Sequence, residues 1–488
     1  MKPRAPHRLA GLHPIARAAL ATAFLATTMG QASAQQSGDV AREVKALKDR
    51  IEALEKQVAN QQPGMTPDQQ QDFNRIAVKT EALEDARDMN GFKGLKVSGY
   101  IDPTFIFNQR QHRSGFQMAD AVSNSGYTYD DSYMGIALLD FTKETDSGAR
   151  WRLTLVPQRS SQAVAEGSSS PLHEASFSIP LTDLQTRFIG GWIPDWSGYE
   201  YLQATLTKTI THNLLFDTTE PTAYTGAGME ITRDKWIVKW LAANLSGAKR
   251  KAGEKTPVLA YRVDYAKGEF QGFGFAGVHG RGTNNAVVSS DTTATVNDGN
   301  DPPNAIGTVV IGSSDARQRD SRLDVFEFDA YFIRGDFTAQ GQISFGRQVN
   351  ASITPAADGR LRTAYWQGVS GLMAYKFEPR FEGVVRVDYI FNQKNGGGLL
   401  TYAAQDTVNG IGYAMQQDDQ GNWVAADKDK GVNRGALTVG CNYVLNLNTV
   451  LKFEYRHDWA TGKVFENTKT GGYARTNQLL GTSVVVSF

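Results

Sequence analysis

Cysteine is almost absent from this chain, with Cys441 standing alone. That excludes an intramolecular disulfide and any multi-cysteine metal site. It fits a chain that folds in an oxidising compartment without disulfides. Histidine is nearly as sparse. His7, His13, His112, His173, His212, His279 and His457 form no metal-ligand spacing. There is no GxSxG elbow, and the bases do not gather into a stripe suited to nucleic acid. No catalytic residue, metal or cofactor is expected. Past residue 34 no run approaches the ~18 apolar residues of a transmembrane helix.

The formal charge of zero conceals an uneven start. Residues 1–34 hold Lys2, Arg4, Arg8 and Arg17, no acid, the apolar run "AALATAFLATTM" and a closing "ASA". This is the pattern of a cleaved secretory signal peptide. Removing those four bases from 51 leaves 47 against 51 acids, a net charge of −4. An exported chain without a membrane helix is periplasmic, secreted or a membrane β-barrel.

Residues 35–91 read as a helical stalk and linker. Val40, Val44, Leu47, Ile51, Leu54 and Val58 are spaced 4, 3, 4, 3, 4, a coiled-coil seam with charged flanks. Fewer than three heptads leave the number of chains open, dimer or trimer. "QQPGMTPDQ" (61–69) breaks the helix, and a weaker helical stretch carries Phe73, Ile76 and Leu83.

From residue 92 the period changes to two. In "LKFEYRHDW" (451–459), Leu451, Phe453, Tyr455 and Trp459 alternate with Lys452, Glu454, Arg456 and Asp458. A soluble sandwich or a transmembrane barrel could carry such a strand. Loop lengths separate them. Sixteen strands are expected, near 95–108, 127–142, 149–158, 172–180, 184–192, 227–233, 235–244, 257–267, 269–279, 322–333, 336–347, 365–377, 380–392, 434–445, 449–459 and 476–488. Every second connection is short, as in "LTD", "RDK", "KGE", "RGD", "EPR" and "NLN", and the others are long and rich in Gly, Ser, Asp and Asn. Short turns at one end and long loops at the other are the arrangement of an outer-membrane barrel. Trp151, Trp192, Trp236, Trp240, Trp366 and Trp459 fall where aromatic girdles are expected. "GFGFAG" (272–277) lies inside a strand with no helix after it, so no dinucleotide site is expected.

The closing "LLGTSVVVSF", with Val484, Val486 and Phe488 alternating, resembles the C-terminal strand of bacterial outer-membrane barrels. That resemblance implies recognition by the barrel-assembly machinery through Phe488, and pairing of this strand with the first. Residues 187–230 carry a second likeness. A strand ending in Ile-Gly, a Pro-containing loop and a return into "TGAGME" resemble the third-loop region of phosphate-selective and related porins. With the N-terminal coiled coil, the chain is similar to trimeric porins that carry a periplasmic extension. The resemblance implies a homotrimer in outer-membrane lipid, passing small hydrophilic or ionic solutes by diffusion.

It also implies that loop 193–226 folds into the lumen. Leu206, Ile210, Leu214, Leu215 and Phe216 would then be buried. The loop carries Asp195, Glu200, Asp217 and Glu220, with Lys208 its only base. Phosphate-selective members line their narrow zone with bases, so phosphate selectivity is not supported. The expected constriction sets these acids against Arg150, Arg152 and Arg187, a transverse field that would orient dipolar solutes. Alternatively, each Arg pairs locally and only rigidifies the wall. Arg262, Asp264, Glu382, Arg386, Asp388, Lys452, Glu454 and Arg456 are expected to face the lumen. Two other classes remain in view. One is a non-conducting barrel tethering the membrane through its stalk, favoured by a plugged lumen. The other is a barrel enzyme such as a phospholipase, for which nothing points to a Ser–His pair.

Overall fold

A computed structural model of the chain describes residues 48–50, 52–53, 67–89 and 92–488, apart from 120–133, 158–170, 246–254, 256, 284–291, 298–304, 312–319, 353–361, 395–409, 411 and 428–429. Two units separate at residue 90. In the first, helix α1 spans Pro67–Met89, and its residues 71–82 are exposed on every face. The coiled-coil positions Val40, Val44, Leu47, Ile51, Leu54 and Val58 lie outside the described residues.

The second unit is a closed antiparallel barrel of sixteen strands. Two strands are broken into segments: β1 (Leu95–Ile101 and Thr104–Asn108) and β2 (Arg113–Gln117 and Ala137–Glu144). Next come β3 (Arg150–Leu155), β4 (Leu172–Asp183), β5 (Thr186–Pro194), β6 (Ala223–Arg233) and β7 (Trp236–Leu245). After them run β8 (Pro257–Ala266), β9 (Gln271–Thr283), β10 (Asp320–Arg334) and β11 (Phe337–Gln348). The last five are β12 (Ala364–Glu378), β13 (Phe381–Phe391), β14 (Arg434–Asn446), β15 (Thr449–Ala460) and β16 (Thr476–Ser487). The sheet closes where β16 pairs with β1, from Asn108↔Leu479 to Thr104↔Ser483 and on to Tyr100↔Ser487. Gly99 and Phe488 extend this seam by exchanging backbone hydrogen bonds of 3.2 and 3.0 Å.

Of the expected strand 127–142, residues 127–133 lie outside the described residues, and the described part enters the sheet at Ala137. The outer part of β2 is Arg113–Gln117, and the strand resumes only at Ala137. Asp102 causes the break. Its carboxylate accepts from the backbone N–H of Gly135 and of Ile136, and Gly135 adopts φ +65°. These two donors turn inward to a side chain instead of joining a ladder. "GFGFAG" lies within β9, and Gly335 of "RGD" supplies the positive φ of a two-residue turn.

The wall is inverted relative to a soluble protein. In β13 the exposed face carries Val385 (44%) and Val387 (49%), while Arg386 and Asp388 opposite are fully buried. In β15 Phe453 and Tyr455 are exposed, and Lys452, Glu454 and Arg456 are buried. An apolar outer band around a charged interior is stable only where the outside solvent is lipid. The strands therefore read as membrane-spanning. Trp366 is a correction: at 3% exposure it faces inward, where Gly346 on the neighbouring strand leaves room for its ring.

Candidate pore constriction

The connection between β5 and β6, residues 195–222, lies inside the barrel. Leu206 is a correction, 60% exposed, but other apolar side chains meet the wall: Leu215 lies over Gly368 of β12, and Ile210 lies against Ile106 and Gly481 of β1 and β16. Leu214 and Leu215 are fully buried, each contributing on the order of 1.5–3 kcal/mol. A short helix, α2 (Leu214–Thr218), is capped by Asn213, whose Oδ1 accepts from the N–H of Leu215 and Phe216 at 2.9 and 2.8 Å. Such a cap stabilises by about 1 kcal/mol. His212 stacks on Phe216 and donates from Nε2 to the Tyr201 carbonyl at 2.8 Å. Burial pushes this imidazole down to about 3, so it stays neutral across the physiological range.

Polar side chains on β8 and on β11 to β15 hold the loop. Arg386 of β13 is the most connected. It meets Asp388 at 3.1 Å and Glu200 at 3.0 Å, and donates to Thr209 Oγ1, the Thr211 carbonyl and the His212 carbonyl. Arg456 of β15 also donates to the His212 carbonyl, at 3.0 Å, and meets Asp458, which in turn binds Arg434. Glu454 accepts from the backbone N–H of Ile210 and Thr211 and from the Thr211 hydroxyl. Lys452 donates to the carbonyls of Ala204 and Thr207, both at 2.7 Å. Lys208 reaches back to Glu382 at 2.6 Å, and Asn442 of β14 donates to both Lys208 O and Glu382. On the other flank Arg262 of β8 donates to the Trp196 carbonyl while holding Asp264 and Asp329 at 2.8 Å. Gln342 of β11 donates to Glu220 and to Glu327 of β10, and Tyr199 meets Ser370 of β12 at 2.6 Å.

Glu200, Glu220 and Asp195 thus find partners, but not the bases expected. Glu200 faces Arg386, Glu220 faces Gln342, and Asp195 accepts from Tyr224 and Ser197. Asp217 is buried within α2. Arg150, Arg152 and Arg187 do not face the loop acids. Arg150 pairs with exposed Glu144 at 3.1 Å, and Arg152 with Asp140 and Glu174 at 2.8 and 3.3 Å. Arg187 donates to the Ser178 hydroxyl and the Gly148 carbonyl, fastening a turn. The reason is positional: the loop lies across the wall from β8 to β1, whereas these three arginines stand on β3 and β5. Arg434, Asp329, Gln342, Asn442 and Tyr199 were missed. Alternation alone could have placed the first four on lumen faces; nothing in the spacing marks Tyr199.

Burial raises three loop carboxylates, Glu220 well above its ordinary range with Glu327 adding to the rise. Glu200 is pushed up to about 7, with Arg386 opposing, and Asp195 to about 6, opposed by its hydrogen bonds from Tyr224 and Ser197.

The lumen is divided by height. Toward the short-turn end, Arg152, Lys239 and Asp264 remain partly exposed at 39%, 31% and 25%. A cavity of about 270 Å³ there is bordered by Lys96, Thr142, Arg152 and Ser176. Toward the long-loop end the lumen face turns apolar. Ile106, Leu241, Val258, Val278, Val325 and Leu479 belong to one buried cluster with Leu202 and Ile210 of the loop.

A family model described as "Protein of unknown function (DUF3138)" matches residues 13–488. No curated protein sequence matches the chain. Among solved structures it is similar to outer-membrane expressed OmpT of Vibrio cholerae, at 10% identity over 81% of this chain and 97% of that one, TM-score 0.46. It is also similar to the anion-selective porin from Comamonas acidovorans, at 9% identity over 81% and 99%, TM-score 0.45. A third is the outer membrane channel DcaP of Acinetobacter baumannii, at 10% identity over 81% and 97%, TM-score 0.43.

Proposed function

The chain belongs to this DUF3138 family, and we propose that this member is an outer-membrane diffusion channel for small hydrophilic or ionic solutes, assembled as a homotrimer. One observation carries the reading: the inward loop leaves charged lumen residues on β3, β6 and β7 partly accessible, Arg152 at 39%, Glu230 at 26% and Lys239 at 31%. Arg152, Glu174, Glu230 and Lys239 line that side in mixed sign. A hydrated path beside a fixed loop is what selective diffusion needs, and the charges along it bias which ions enter. The short turns face the periplasm in this reading, and the N-terminal helical segment lies on that side.

Mechanistically, the loop narrows the lumen without depending on its own stiffness. Arg386, Lys452, Glu454 and Arg456 hold backbone groups of residues 204–212, so the free edge of the loop is set by the wall. The test is single-channel current from the purified protein in a planar bilayer under a salt gradient. Discrete steps, grouped in threes, support the channel and the trimer; a folded barrel that stays silent overturns it.

A second reading is a non-conducting barrel that acts as a tether through its helical segment. The buried apolar cluster in the outer half of the lumen favours it, because dewetted apolar constrictions block ions. Silence in the same recording, together with capture of a periplasmic partner by residues 35–91, would establish it.

A further inference from the structure

The outer face of β9–β13 carries a feature that conduction does not use. Near the long-loop ends of these strands a cavity of about 630 Å³ opens toward the surrounding solvent. Its floor is aromatic: Phe326, Phe345, Tyr365 and Phe391 are each 39–47% exposed and point away from the lumen. Its upper edge is basic. Arg347 lines it beside Asp324 at 2.8 Å, Arg322 meets the same carboxylate at 3.2 Å, and Lys394 lies 4.8 Å over the Tyr365 ring. Arg322 and Arg347 share the Asp324 carboxylate with His279, whose Nδ1 is 3.1 Å away, and Lys394 adds a further base, which leaves an excess of positive charge. Next along, Arg281 is matched by Asp320 at 2.5 Å.

Height along the barrel gives this arrangement meaning. Arg347 stands ten residues beyond Phe337, where β11 leaves its short turn. At ~3.3 Å per residue and a tilt of ~45°, that is roughly 23 Å of membrane depth. The apolar band of such a barrel is about 25 Å tall, so the basic edge sits at the far headgroup level and the rings lie within the acyl region. Arg forks match phosphate oxygens bidentately, and a Lys adds a point charge.

We propose that this face is a binding site for a phosphorylated, multiply acylated lipid of the outer leaflet, with phosphate on Arg322, Arg347 and Lys394 and acyl chains against Phe326, Phe345 and Phe391. The site rests on the membrane-spanning reading and is independent of whether the pore conducts.

Native mass spectrometry of the purified protein in uncharged detergent tests it. The probe is a bisphosphorylated, acylated glucosamine disaccharide, compared with phosphatidylcholine and with inorganic phosphate. The native protein should retain the bisphosphorylated lipid, and R322Q/R347Q/K394Q should hold it at least ~10-fold more weakly, since two or three charge-assisted bonds are lost. Raising salt to ~0.5 M should weaken binding to the native protein, a readout that needs no variant. Equal retention of phosphatidylcholine, equal binding by the triple variant, or binding of inorganic phosphate alone would each overturn the proposal. So would loss of the trimer in the triple variant, which would assign this face to a neighbouring copy of the chain. Single-channel current of the same variant should be unchanged, so failure here leaves the channel reading intact.

Discussion

Replacing Arg386 with Met removes the centre of the loop's attachment. Arg386 and Asp388 are fully buried, and Glu200 is 3% exposed. The substitution would strand two carboxylates away from water and take one of two donors from each of the Thr211 and His212 carbonyls. Breaking a buried pair from one side costs on the order of 3–5 kcal/mol. At 1.36 kcal/mol per tenfold, the docked population falls relative to the released one by roughly two to four orders of magnitude. Arg386→Lys should do less, because it keeps the charge but cannot reach Glu200 and the two carbonyls together. Arg150→Gln is the control. Its pair with Glu144 is exposed on both sides, and pairs of that kind contribute little. The assay is single-channel recording, paired with limited proteolysis of residues 195–222. Release should raise conductance and open-state noise for Arg386→Met, and expose the loop to cleavage. If Arg386→Met shows native current, native noise and a protected loop, the network does not hold the loop and the argument fails.

Further outcomes follow from the same geometry. Glu200 and Asp195 titrate at about 7 and about 6, above the ordinary carboxylate range of ~4. A raised acid stabilises docking most below its ordinary value, and loses that contribution as pH rises through the raised one. Acidification from about pH 7.5 to 5.5 should therefore tighten the loop and lower the current, and Glu200→Gln should flatten that response. Arg152→Gln removes a partly exposed cation from the open side, so the reversal potential should move toward cation preference; an unchanged potential would remove Arg152 from the path. Leu241→Ser with Val325→Ser wets the apolar cluster and should raise the current if that cluster limits flow. Gly99→Val would place a Cβ 2.7 Å from the Phe488 ring. The seam should then fail, seen as loss of heat-modifiable gel migration.

Strand order and turn positions could be read from the sequence because period-two alternation and short turns are local. β15 shows this best: one face of Leu451–Trp459 is apolar and the other charged, and the structure keeps that division. The break in β2 could not be read, since it depends on Asp102 reaching backbone groups 33 and 34 residues away. Which bases meet the loop was hidden for the same reason. Alternation puts Arg152 and Arg386 equally on the inside, and only the path of the loop across β8–β1 distinguishes them. The outward Arg322, Arg347 and Lys394 sit on strand ends beside long loops, where a charged residue looks ordinary.

The loop's attachments impose an order on biosynthesis. Most of its wall partners, from Arg262 through Gln342 and Arg386 to Glu454, follow it in the chain, and the bond from Ile210 to Glu454 spans 244 residues. Until the later strands pair, Leu214 and Leu215 have no wall to lie on, and both sheet edges are unpaired. Pairings so distant in sequence form slowly. The second half of the barrel must therefore assemble around a loop already waiting, and closure at β1–β16 seals it in. A substitution that weakens docking would be felt twice: in the finished barrel as an altered lumen, and earlier as a longer-lived, aggregation-prone precursor that demands more of the chaperones escorting it.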